Sequence, residues 1–187
     1  MSKRDHRSDE ELIDLCNTGD RSSAIDAFEV LYARHKNYVL RVAYRYVRDA
    51  DLALDALQET FSYLLRKLPP AGEGVTLNSK LQTLLYVAAK NAAISLLRKA
   101  SHSGSAGEVD PDELPAPGYR DAGELADLLR GLSPGQREII TLRFVDDHNL
   151  QDIAEILDIP LGTVKSRLHQ AIQAMRKSPY VKDFFEK

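Results

Sequence analysis

Glycine and proline are missing from Arg21 to Leu68, and again from Val75 to Ser103, from Gln136 to Ile159 and from Thr163 to Ser178. A sheet must turn every few residues, and its turns draw on these two residue types. Runs this long leave no place for hairpins, so the chain is predicted to be all-α. The spacing agrees. Phe28, Leu31, His35, Tyr38, Val42 and Tyr46 recur at intervals of three and four, and Leu57, Phe61, Leu64 and Leu65 continue the apolar set. Helix starts are marked as well. Ser8 with Glu11, and Ser133 with Pro134 and Gln136, match the capping box, and Asn149 with Asp152 is a weaker form of it.

Where the breakers do fall, they divide the chain. Pro69 to Gly74 reads as a short loop between helices. Ser101 to Gly118 is longer, holds Pro111, Pro115 and Pro117, and has almost nothing to bury. The expected organisation is a helical domain over residues 1–100, a flexible acidic linker over 101–120, and a smaller helical domain over 121–187.

The 187 residues carry 25 Lys and Arg against 28 Asp and Glu, a net charge of −3, which excludes a uniformly basic coat for nucleic acid. Charge is nevertheless segregated. No acid occurs from Val30 to Arg48, from Gly74 to Gly107, or from Ile159 to Lys182, whereas residues 101–124 hold one basic and six acidic residues, a net of −5. This pattern predicts local anion-binding surfaces on a neutral body, with the linker turned away from duplex DNA. Cys16 is the one cysteine and has no partner for an internal disulfide, and the five histidines show no zinc spacing. Lys90, Asn91 and Ser95 interrupt the most apolar stretch, Leu84 to Leu97, so it cannot span a bilayer. A reducing cytoplasm is the expected location. There is no Gly-rich phosphate loop, no catalytic Ser/His/Asp spacing and no metal cluster, so no enzymatic activity, cofactor or small-molecule substrate is expected. His35 falls on an apolar face and is read as a core histidine.

Residues Gln151 to Val164 have the spacing of a helix-turn-helix. Ala154 is small where two helices must approach, Asp158 tolerates a left-handed turn, and Pro160 prevents one continuous helix. On the following helix Val164, Leu168, Ala171, Ile172 and Met175 share one face, opposite Ser166, His169, Gln170, Gln173 and Lys177. Such a helix fits the major groove. Gln170 can pair with adenine, Lys165 with guanine, and Ser166 with base or phosphate, while Arg167 and Arg176 suit phosphates.

Gly162 to Leu168 (GTVKSRL) closely resembles the last-domain signature of bacterial sigma factors of the extracytoplasmic-function group. Leu132-Ser133-Pro134 and Ile140 to Phe144 lie where that family has the preceding helices. Upstream, Asp55 to Phe61 (DALQETF) resembles the helix that grips the clamp of core RNA polymerase, and Leu84 to Lys99 resembles the helix that opens the minus-ten element. The blocks stand in family order and together cover nearly the whole chain.

This resemblance implies a transcription initiation factor that binds core RNA polymerase and promoter DNA, with an anti-sigma factor as a further partner. It places core polymerase contacts at Asp55, Gln58 and Glu59, and minus-ten contacts at Lys80, Lys90, Asn91 and Arg98, on a helix beginning near Ser79 and the loop before it. Minus-thirty-five contacts fall at Arg143, Thr163, Lys165, Ser166, Arg167, His169 and Gln170. Leu84 stands where the family usually has Trp and is expected in the core. The loop from Leu68 to Ser79 lacks the aromatic residue common there. Gln170 and Ile172 stand where Arg is frequent, which predicts a shallower salt dependence. The linker is expected to thread toward the RNA exit path. The alternative is a sigma-like decoy that sequesters an anti-sigma factor. A plain helix-turn-helix repressor is a third reading, but it gives the Asp55–Phe61 block no purpose.

Overall fold

The computed structural model describes residues 5–102, 129 and 131–177, in two compact units that divide between Ala106 and Gly107. The region predicted as an acidic linker, from 103 onward, lies outside the described residues. So do Pro111, Pro115, Pro117 and the last residues from Ser178. All regular structure among the described residues is helical.

The first unit contains α1 (Asp9–Thr18), α2 (Arg21–Val47), α3 (Ala50–Lys67) and α4 (Leu81–His102). Ser8 and Glu11 form the predicted capping box, and Asp20 and Asp49 cap the next two helices through their carboxylates. Arg48, between α2 and α3, is left-handed at φ 55° and lets the chain reverse tightly. The long α2 is the spine, packed against each of α1, α3 and α4. Its Leu31, His35, Tyr38, Val42 and Tyr46 are buried as the spacing predicted, together with Leu57, Phe61 and Leu64 of α3.

Three apolar positions of the first unit depart from expectation, and one of them is Phe28, which is half-buried. Leu65 is 49% exposed, because Phe61, Leu64 and Leu68 already fill the inward face at the end of α3 and Leu65 turns away from it. Leu84 is only half-buried. On α4 the interior is filled at four-residue intervals by Leu81, Leu85, Ala89 and Ala93, which leaves Leu84 on the flank. This helix begins at Leu81, with Lys80 just outside it, and continues through His102, past the predicted domain limit.

The second unit contains α5 (Pro134–Phe144), α6 (Leu150–Leu157) and α7 (Leu161–Arg176). Ser133 and Gln136 form a capping box with Pro134 in the first turn, and Asn149 with Asp152 forms a complete one. Leu129, Leu132, Ile140 and Ala171 make a core against which Leu168, Ile172 and Met175 pack.

Candidate nucleic-acid interface

Three hydrogen-bonded devices set where α6 begins, where it ends and where α7 starts. Asn149 Oδ1 accepts from the N–H groups of Gln151 and Asp152 at 2.8 Å, which fixes where α6 begins. Asp158 closes it in the left-handed region at φ 51° and ψ 48°, and Ile159 N–H reaches back to the Ala154 carbonyl at 3.1 Å. Pro160 then starts α7, with its carbonyl accepting from Thr163 and Val164. Ala154 is buried at the crossing, as its small size suggested. This is a helix-turn-helix.

On α7, Val164 and Ala171 are buried, and Lys165, Ser166, Arg167, His169, Gln170, Gln173, Arg176 and Lys177 are all exposed. Thr163 is half-buried in the first turn. Arg167 leans toward the start of α5, its Nη1 lying 3.6 Å from where a Cβ on Gly135 would stand. The acid-free face therefore combines fixed helix geometry with donors of several lengths. Arg143, assigned by sequence to the same surface, is half-buried, and its Nη1 donates to the His148 carbonyl at 3.0 Å. It braces the loop between α5 and α6.

In the first unit, Asn91, Ser95 and Arg98 share the exposed side of α4, and Lys80 is exposed just before it. Lys90 sits a quarter-turn away and is half-buried. Its Nζ lies 5.8 Å from the centroid of Tyr46. Tyr46 in turn meets Tyr86, hydroxyl to hydroxyl at 2.8 Å, and the buried Arg45 guanidinium lies 5.8 Å from the Tyr86 ring centroid. Two cations thus bracket a pair of aromatic rings between α2 and α4. The acid-free run from Val30 to Arg48 hinted at Arg45, but its aromatic partner on another helix had no sequence signal.

The third group lies on α3, where Asp55, Gln58 and Glu59 are all exposed. Glu59 is not free-standing. Its Oε1 accepts from Arg66 Nη2 at 2.8 Å, with both side chains more than half in water. No helix is long and apolar enough to cross a membrane, and no group of three His, Cys, Asp or Glu could hold a metal ion, both among the described residues.

A unit built on a helix-turn-helix whose second helix turns basic and polar side chains outward defines a DNA-binding class of protein. The Sigma-70 region 2 profile matches residues 31–103 and the Sigma-70, region 4 profile matches residues 128–177. The chain is 31% identical over 163 residues to RNA polymerase sigma factor CarQ of Myxococcus xanthus, covering 84% of this chain and 91% of that protein. It is 28% identical over 169 residues to the ECF RNA polymerase sigma factor SigW of Bacillus subtilis, covering 81% and 88%. Its fold is similar to that of CnrH in complex with the cytosolic domain of CnrY, with a TM-score of 0.61 at 20% identity, covering 91% of this chain and 96% of that one. The sigma factor RpoE in complex with the anti-sigma factor NepR, from Bartonella quintana, gives a TM-score of 0.55 at 24% identity, covering 83% and 96%. The chain belongs to the sigma-70 family of RNA polymerase sigma factors, in its extracytoplasmic-function group. It is a transcription initiation factor that gives core polymerase its promoter, and is not itself an enzyme.

Proposed function

We propose that the two units divide promoter recognition between them. The exposed face of α7 reads the minus-thirty-five element, with Lys165, Ser166, His169 and Gln170 at the base edges and Thr163 and Arg167 at the backbone. Arg143 serves this surface indirectly, by holding the α5–α6 loop. Asn91 and Arg98, with Lys80 before them, form the minus-ten surface, and Lys90 adds charge at a position set by Tyr46. Strand opening costs a few kcal/mol per base, offset by contacts to the exposed strand.

Core polymerase is engaged through Asp55, Gln58 and Glu59. Exposed charges of this kind act mainly on association rate and specificity. An anti-sigma protein is a further partner. Among proteins of similar fold, RpoE occurs in complex with the anti-sigma factor NepR, and CnrH in complex with the cytosolic domain of CnrY. The place of action is the cytoplasm, where core polymerase and promoters are.

The observation that carries this assignment is the helix-turn-helix whose second helix turns Lys165, Ser166, His169 and Gln170 outward on an acid-free face. The test is run-off transcription by purified core polymerase with the full chain on a pool of randomised promoters. Enrichment of two conserved elements, lost from one element at a time in α4 and α7 variants, supports it. No transcript from any template would sink it.

A further inference from the structure

The loop between α3 and α4 is held in place by a residue from the other end of the unit. Asn17, in the last turn of α1, pairs with the backbone of Val75, 58 residues away. Its Nδ2 donates to the Val75 carbonyl at 2.8 Å, and its Oδ1 accepts from the Val75 N–H at 2.9 Å. The carboxamide thus offers the loop the donor and acceptor that a neighbouring strand would offer.

The rest of the loop is built around this clamp. The Leu68 carbonyl accepts from Ala71 and Gly72, and the Lys67 carbonyl accepts from Gly74 at 2.9 Å. Gly74 has φ 102°, and a Cβ there would stand 2.9 Å from Asn17 Oδ1, so the close approach needs glycine. Leu68 and Val75 are buried at either end of the loop. Beyond Val75 the chain alternates. Thr76, Asn78 and Lys80 are exposed, while Leu77 and Ser79 are half-buried, and α4 follows at once. Fixing Val75 therefore fixes the start of the short segment that carries these outward polar side chains into α4.

We infer that Asn17 is a positioning residue for promoter opening: it holds the α3–α4 loop so that Thr76, Asn78 and Lys80 face the exposed minus-ten strand. The inference rests on the assignment of this loop and α4 to the minus-ten element. A loop that is ordered beforehand spares the complex the entropy of ordering it on binding. Here that matters more than usual, since Leu68 to Ser79 has no aromatic side chain on which a base could stack.

The experiment uses the full chain assembled with core polymerase, as Asn17→Ala and Asn17→Gln, with Lys80→Ala and Asn91→Ala measured beside them. Base discrimination at each minus-ten position is read at saturating holoenzyme on fork-junction templates, as a ratio between bases. Asn17→Ala should lower that ratio about fivefold, the value of roughly one net hydrogen bond, with holoenzyme assembly unchanged. Asn17→Gln keeps the carboxamide on a longer stem and should restore part of the ratio. A uniform loss of transcription with the ratio intact would mean that Asn17 only stabilises the fold, and the inference would fall. If Lys80→Ala and Asn91→Ala lower the ratio while Asn17→Ala does not, the inference alone fails. If none of them moves it, the minus-ten assignment fails and takes the inference with it.

Discussion

Asp9 Oδ2 lies 2.7 Å from Nε2 of His35, which joins the first turn of α1 to the middle of α2. The imidazole is buried at 4% exposure, so the histidine of the apolar stripe is a core residue with a carboxylate partner. Asp9 also receives Arg34 Nη1 on its other oxygen. Burial raises the Asp9 pKa, but the hydrogen bonds and charges of His35 and Arg34 outweigh it, and the net shift is downward.

That shift predicts acid sensitivity. A carboxylate held below its ordinary value of 3.8 contributes stability above that pH and loses it as pH falls through the lowered folded value. Asp9→Asn should therefore unfold more readily at neutral pH, by about 1 kcal/mol given its partial exposure. The difference from the parent should shrink as the acid limb is approached. Urea unfolding across pH 3 to 7, a range bracketing the ordinary carboxylate value, reads this directly. A gap that widened toward acid would contradict the assignment.

The turn of the helix-turn-helix offers a second check. Asp158 occupies the left-handed region, where a β-branched residue is strained by about 1–2 kcal/mol and glycine is not. Asp158→Val should lower the melting temperature of the chain and weaken promoter binding together. Asp158→Gly should leave both near the parent values. Equal loss in the two variants would show that the Asp158 side chain, and not its backbone, is what the turn requires.

Gln170 is exposed on α7 and free to reach a groove. If it pairs with a base, Gln170→Ala should remove about 1–3 kcal/mol of discrimination at one position of the minus-thirty-five element. Binding by the holoenzyme to a set of single-base promoter variants measures this. An equal weakening on every sequence would point to a phosphate contact instead.

Asp55 and Glu59 should matter to assembly and hardly at all to folding. The Glu59–Arg66 pair is more than half in water on both sides, and such pairs contribute about 0–1 kcal/mol. The double substitution Asp55→Ala with Glu59→Ala should melt within a few degrees of the parent yet bind core polymerase more weakly in a fluorescence titration. Full affinity in the double variant would remove these residues from the interface.

Much of this molecule follows from short-range chemistry. Ser8, Ser133 and Asn149 each satisfy N–H groups within a few residues of themselves, so their helices start where the sequence says. Asp158 and Pro160 turn the chain between α6 and α7 for equally local reasons, and the apolar and polar faces of α7 follow from its own period. The exposed positions of Asp55, Gln58, Asn91 and Gln170 were legible for the same reason.

What the chain alone could not show depends on residues that meet only after folding. Leu65 and Leu84 are as apolar as their buried neighbours, and which of them faces water depends on how α2, α3 and α4 share the interior. Arg143 carries the charge of a DNA contact, but it donates to the His148 carbonyl, which comes within reach because the α5–α6 loop folds back. The Asn17–Val75 clamp and the Arg45–Tyr86 contact join segments far apart in sequence, so no periodicity or cap announces them. Local preference sets where each helix begins and which way it faces, while the competition of several helices for one interior selects their neighbours.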